Sequence, residues 1–396
     1  MAGRRRASGH GVFALCLLLV SLVACGGRAG NGTARADVQE LLDRRSAAVL
    51  DRDRAAFMQT GALDWFEHAR GVPFASWTYR LTGLHQHGAD ATADVELKYR
   101  IQGYDNAPVT VGRTLTLTRD AGGEWYVDQE QPAKKSAQQL WDQGEVDVVR
   151  GRHSLVLGVG RSSAALHTYA DLADRAVPAV SARWGTGWAR HVVVLVPRSL
   201  EGMAGLLGSP ASSYRGIAAV TTGETGAPAS APADRVIVNP DAYGVLGSVG
   251  KQVVLTHETT HVATREDTTA ATPLWLSEGY ADWIGYLDSG RSPVQAAPEL
   301  WRAVTEGRTP EALPADADFG FSGDATKLAQ AYESGWLACR MVAERWGTDQ
   351  LRAFYRAVGA HEQRAGAVED ALKDVLGTDL DDFTDQWRDY LKAELD

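Results

Sequence analysis

Apolar positions change their spacing along the chain, and the changes divide it. Between residues 37 and 131, Leu41, Leu42, Val49, Leu50 and Phe57 recur at helical spacing and predict a helix over 38–60. Runs of period two follow, at Trp77, Tyr79 and Leu81, then at Val95, Leu97, Tyr99 and Ile101. Shorter ones at Leu115 and Leu117 and at Trp125 and Val127 complete a meander of half-buried strands. Strand is predicted over 146–159, helix over 164–184, and a strand buried on both faces over the continuous apolar run 191–196. Two more strands, 217–222 and 235–239, flank a Gly, Ala, Pro and Ser-rich loop at 223–233. Beyond Gly290 the pattern is helical throughout: 296–306, 325–346, 349–358, 366–376 and 380–395 are amphipathic and set off by Gly, Pro, Thr or Asp.

This order predicts an α+β fold. One helix followed by a meander resembles the NTF2-like and cystatin-like folds, in shape alone. His85 and His87 alternate on one strand near Gly88 and read as solvated loop-end residues. Two roles for the module stay open: binding a protein partner, or spacing the rest from a membrane. Residues 132–145 are Gln-rich and charged, and read as a connector.

The N-terminus adds a targeting signal. Arg4, Arg5 and Arg6 precede a run of about 12 apolar positions, too short for a membrane-spanning helix. Leu22-Val23-Ala24-Cys25 resembles the lipobox of bacterial lipoproteins, which implies cleavage before Cys25 and a lipid on its thiol. The other readings are ordinary cleavage at the same bond, after Ala24, with Cys25 left free, or a start codon placed too early. The expected organisation is a signal peptide at 1–24 and a lipidated Cys25 with a flexible tether to 36. A module at 37–131, the connector and a domain at 146–396 with a helical subdomain from about 290 follow. Of three cysteines only Cys339 lies in the body, so no intrachain disulfide framework is possible. With a net charge of −10, nothing in the sequence suggests a nucleic-acid binder.

The chemistry lies in two blocks. His257-Glu258-Thr259-Thr260-His261 places two imidazoles four residues apart. On a helix they lie about 6 Å apart on one face and can share one Zn²⁺. On a strand they would be roughly 13 Å apart. β-Branched Val253, Val254, Thr256, Thr259, Thr260 and Val262 disfavour helix mildly, whereas Ser248 as N-cap and the stripe Val254, His257, Glu258, His261 favour it. Glu258, beside a ligand and not on the metal, is placed as a general base. Seventeen residues after His261 comes Glu278, the candidate third ligand, in a helix opened by Thr272 and Pro273. Asp282, one turn on, is placed to accept a ligand imidazole's free N–H. Asp267, six residues after His261, is the competing third ligand, but reaching it needs a tight turn and Thr264 stands where a Gly would ease it.

His257-Glu258-x-x-His261 with Trp275-Leu276-Ser277-Glu278-Gly279 resembles the gluzincin metallopeptidases, in particular their peptidase MA-like relatives. That resemblance, spread over 146–396, implies one zinc per chain on His257, His261 and Glu278, Glu258 as base, and substrate lying along a sheet edge. Strand 217–222 is the candidate edge and the loop after it a candidate lid. The resemblance also implies an oxyanion donor at Tyr332, in Tyr332-Glu333-Ser334-Gly335. Tyr332 also lies on the apolar stripe Leu328, Trp336, Cys339 and Val342, so a packing role stays open. No Gly-x-Met-x-Asn segment is present, which favours endopeptidase over aminopeptidase action. The expectation is a lipid-anchored, extracytoplasmic zinc metallopeptidase acting on a peptide or protein. The alternatives are a silent zinc-containing envelope scaffold and a hydrolase of a non-peptide bond.

Overall fold

The computed structural model describes residues 26–223, 232–320 and 324–396. The chain is α+β. Cys25, the segment expected as a signal peptide and most of the candidate lid, 224–231, lie outside the described residues. Among those described, no helix is long and apolar enough to cross a membrane.

Helix α1 (Gly26–Asp51) takes in the stretch expected as a flexible tether, and Ala34 is already buried. The single helix predicted over 38–60 breaks at Arg52, whose φ of 54° is left-handed. Helix α2 (Arg54–Met58) starts afresh, capped by the Asp53 carboxylate, which accepts from the N–H groups of Ala55 and Ala56. The break is a packing solution: it buries Phe57 against Phe66 and Trp65 of α3 (Asp64–Ala69), with ring centroids 4.4 and 5.3 Å away. Strands β1 (Phe74–His87), β2 (Asp90–Ile101), β3 (Val109–Arg119) and β4 (Trp125–Pro132) form the expected antiparallel meander. His85 and His87 are exposed at the end of β1.

Beneath this sheet the charges are paired. The Glu130 carboxylate, itself buried, accepts from Trp65, Tyr79, Arg45 and Arg113. Arg113 also grips Asp142 with both terminal nitrogens, at 2.8 and 2.9 Å. Asp142 belongs to residues 132–145, so this connector is no solvated linker. Its Trp141 packs on Phe74, Trp77 and Tyr99.

The strand predicted over 146–159 is instead a hairpin, β5 (Val146–Arg150) and β6 (Ser154–Val159). Asp174 of α4 (Ser163–Trp184) turns the chain there by accepting from the N–H groups of Arg152 and His153. Then come β7 (Val192–Val196), α5 (Leu200–Leu207), β8 (Ala219–Thr221) and β9 (Arg235–Val238). The sheet runs β5-β6-β7-β9-β8, parallel at its centre and antiparallel at both edges. The candidate edge strand is therefore at an edge. Helix α5, which buries Met203, has no strong signal in the pattern.

Side-chain alternation explains the continuous apolar strands. Leu155, Leu157, Val193, Leu195 and Ile237 join the core of the N-terminal unit. Val156, Val192, Val194, Val196 and Val236 join α4 and the helix after the sheet. Both faces are covered, as continuous apolar runs require. A buried ion pair, Asp105 to Arg235 at 2.9 Å, ties the two units at the start of β9.

After α6 (Pro240–Gly244) comes α7 (Ser248–Thr264), then α8 (Leu274–Tyr286), α9 (Pro293–Ala296) and α10 (Pro298–Thr305). Helices α11 (Ala325–Arg345), α12 (Thr348–Ala360), α13 (Ala367–Ala371) and α14 (Leu380–Leu395) close the chain around one helical core.

A chain truncated to begin at Pro132 would bare the sheet face formed by Leu155, Leu157, Val193, Leu195 and Ile237. It is expected to be aggregated or to lose cooperative unfolding, measured by urea denaturation. A midpoint equal to that of the full chain would show that the N-terminal unit is a detachable spacer.

Candidate metal centre

Helix α7 forms although threonines crowd it, and their hydroxyls find partners within the helix. Thr256, Thr259 and Thr260 each donate to the carbonyl four residues back, at 2.6 to 2.9 Å. The helix starts at Ser248 with Gly247 as N-cap, one residue from the expected cap. His257 and His261 then share a face, with ring centroids 4.7 Å apart.

Helix α8 supplies the other half. Its N-cap is Pro273, again one residue from the expected cap, and Glu278 and Asp282 project from successive turns. Two positions, one on α8 and one on its neighbour α11, have no room for a side chain, and a third on α8 is tight. A Cβ on Gly279 would lie 2.2 Å from the Gly335 carbonyl oxygen of α11, and one on Gly335 2.6 Å from that of Trp275. Gly285 meets the Val253 carbonyl of α7, where a Cβ would lie 3.1 Å away.

This packing brings His257 Nε2, His261 Nε2 and a Glu278 oxygen into one triangle. Its sides are 3.0 Å between the imidazoles, 3.2 Å from His257 to Glu278 and 3.5 Å from His261 to Glu278. Ligands about 2.0–2.1 Å from a tetrahedral ion stand roughly 3.3 Å apart, so the triangle fits a small divalent metal. Among the described residues these three form the one group of His, Cys, Asp or Glu able to hold a metal ion. Two imidazoles and one carboxylate leave a fourth position open.

Asp282 stands behind His257, its Oδ1 2.7 Å from Nδ1. Accepting that N–H leaves Nε2 with its lone pair directed at the triangle. Burial alone would lower the pKa of His257, yet Asp282 and then Glu278 raise it well above an ordinary histidine. Burial would raise that of Glu278, but the two imidazoles hold it well below the usual carboxylate range. The cluster thus favours positive charge, whether proton or metal.

Glu258 is buried beside the triangle and accepts from the Thr221 hydroxyl of β8 at 2.6 Å. Tyr332 of α11 lines the same cleft, its ring edge-on to Phe319 at 5.1 Å. Burial, followed by the charges of Glu278, Asp282 and Glu258, pushes its hydroxyl pKa far up. All six residues border one cleft of about 820 Å³. Asp267 is not among them: α7 ends at Thr264 and passes into a single 3-10 turn over Arg265–Asp267, and Asp267 pairs instead with Arg356 at 3.4 Å. Sequence reasoning missed Thr221, Arg265 and Glu333, which also line the cleft. No pattern marks them, since a threonine on a short strand and single charges on helices are common everywhere.

A scan against protein-family models finds no match, and a search of curated proteins finds none either. Among solved structures, a hypothetical protein with a ketosteroid isomerase-like fold from Catenulispora acidiphila, in complex with trimethylamine, is similar over 24% of this chain and 88% of its own. The identity is 17% and the TM-score 0.20. Native yeast LTA4 hydrolase is similar over 70% of this chain and 42% of its own, at 12% identity and a TM-score of 0.34. This chain thus spans less than half the length of the yeast protein. At such values the functional reading rests on the geometry of the site.

Asp282→Asn removes the carboxylate that orients His257 while leaving all three ligands in place. Zinc affinity, measured by competition with a chelator, is expected to fall about 10- to 100-fold. An unchanged affinity would mean that the 2.7 Å contact does not support the ligand.

Proposed function

We propose that this chain is a zinc-dependent hydrolase of peptide bonds, held outside the cytoplasm by a lipid on Cys25. The observation that carries the reading is the triangle of His257, His261 and Glu278, with Asp282 behind it, Glu258 beside it and an open cleft in front. Bound there, a zinc ion would supply Lewis acidity toward a carbonyl and an acidified water.

The chain's own residues do the rest. Edge strand β8 offers main-chain groups to an extended peptide. At its two ends the Thr222 N–H bonds the Arg235 carbonyl, and the Asn239 N–H bonds the Ala218 carbonyl. By alternation Ala219 and Thr221 turn their N–H and C=O groups to the free edge. A substrate strand added there would pair with them, without needing a free amino terminus. Leu274, Phe319, Leu328 and Trp336 give the cleft an apolar wall that excludes water from the bond being cut. Glu258 takes the proton of the attacking water and returns it to the departing amine nitrogen. The raised pKa of Tyr332 keeps its hydroxyl protonated at neutral pH, as a donor to an oxyanion must be.

About one zinc per chain is expected by elemental analysis, retained in Glu258→Gln and lost in His261→Ala. With peptide libraries, Glu258→Gln is expected to lose about 10²-fold or more in kcat, and Tyr332→Phe about 10²-fold. No zinc after reconstitution, or equal cleavage by Glu258→Gln, would overturn the reading. A loss below about threefold in Tyr332→Phe, far short of an oxyanion donor's contribution, would return Tyr332 to packing alone. The anchor has its own test: Cys25→Ser is expected to leave the membrane fraction when the chain is expressed in a bacterium, and its retention there would refute lipidation.

A further inference from the structure

We infer that Thr221 is a positioning residue for Glu258, coupling the seat of the substrate to the orientation of the base. The inference rests on the function proposed above. Period two along β8 puts Ala219 and Thr221 on the face covered by α7, where Ala219 packs in one core with Leu255. The Thr221 hydroxyl stands 2.6 Å from Glu258 Oε2 and 3.1 Å from the Glu258 carbonyl oxygen. It has one proton to give. The carboxylate oxygen, closer and charged, is the stronger acceptor.

Among the described residues the Glu258 carboxylate has no other hydrogen-bond donor. One of its oxygens is therefore held and the other is left for a ligand in the cleft. The next residue reinforces the arrangement. The Thr222 carbonyl accepts from Arg265 at 2.9 Å, and Asp234 holds that guanidinium at 3.0 Å. Strand β8 is thus tied to α7 at Glu258 and again at the residue after its C-terminal end, Arg265. A peptide that pairs with the outward main chain of Thr221 would bear on the residue whose side chain holds the base.

The test uses the full chain loaded with zinc, in Thr221→Val and Thr221→Ser forms, and a peptide cut by the wild type but not by Glu258→Gln. Valine keeps the shape and removes the donor; serine restores it. Thr221→Val is expected to keep its zinc and lose about tenfold or more in kcat, the order of one hydrogen bond to a charged group. KM should stay within about twofold and Thr221→Ser within about threefold of wild-type kcat, since substrate contacts and the donor are each preserved. An unchanged kcat in Thr221→Val, or loss of zinc in both variants, would overturn the assignment.

If the wild type cuts no peptide, the proposed function fails and binding decides the role of Thr221. Acetohydroxamate carries a hydroxyl that Glu258 would accept from beside the metal, whereas azide carries none. Thr221→Val is expected to weaken acetohydroxamate about tenfold and to leave azide unchanged. Equal affinities for acetohydroxamate in wild type and variant would again refute it.

Discussion

Helix α8 is clamped between α7 and α11 at distances that leave no space for a side chain at Gly279 or Gly335 and little at Gly285. Everything at the candidate centre depends on that closeness. The ligands are divided between α7, with both histidines, and α8, with Glu278 and Asp282. A shift of an ångström between the helices would open the triangle or break the 2.7 Å contact of Asp282 with His257. Packed cores resist such shifts because each added methylene must displace its neighbours. Trp275, Leu276, Tyr280 and Trp283 anchor α8 in the C-terminal core, so that core serves the site directly.

The opposite wall of the cleft is built differently. Strand β8 is only three residues long and exposes one edge. Its place is set by hydroxyl and guanidinium contacts to α7 and by β9, whose start is pinned to the N-terminal unit through Asp105 and Arg235. The N-terminal unit is thereby no detached spacer. It covers one face of the sheet and steadies the strand on which a substrate would lie.

Much of the candidate site is legible in the sequence because its geometry is local. His257 and His261, like Glu278 and Asp282, are spaced by one helical turn, and a turn converts spacing into position with little help from the rest of the chain. The same holds for α14, whose bounds follow from its apolar stripe. What escapes is set by distant partners. The break at Arg52 answers to Phe66 and Trp65, the hairpin within 146–159 to Asp174, and the burial of residues 132–145 to Arg113 and the aromatic cluster on β1. The run Val192–Val196 announces a strand covered on both faces, but nothing in it names the N-terminal unit as one of the covers. Thr221 is invisible for the same reason: its partner lies 37 residues away.

On this reading α7 and α8 together hold one zinc ion with a fourth position open. Anomalous diffraction at the zinc absorption edge, from crystals of the zinc-loaded chain, tests it most directly. A single peak is expected, about 2.0–2.2 Å from His257 Nε2, His261 Nε2 and a Glu278 oxygen, with a fourth position open to the cleft beside Glu258. A peak coordinated by Asp267 or by four protein side chains, or no peak at this triangle, would contradict it.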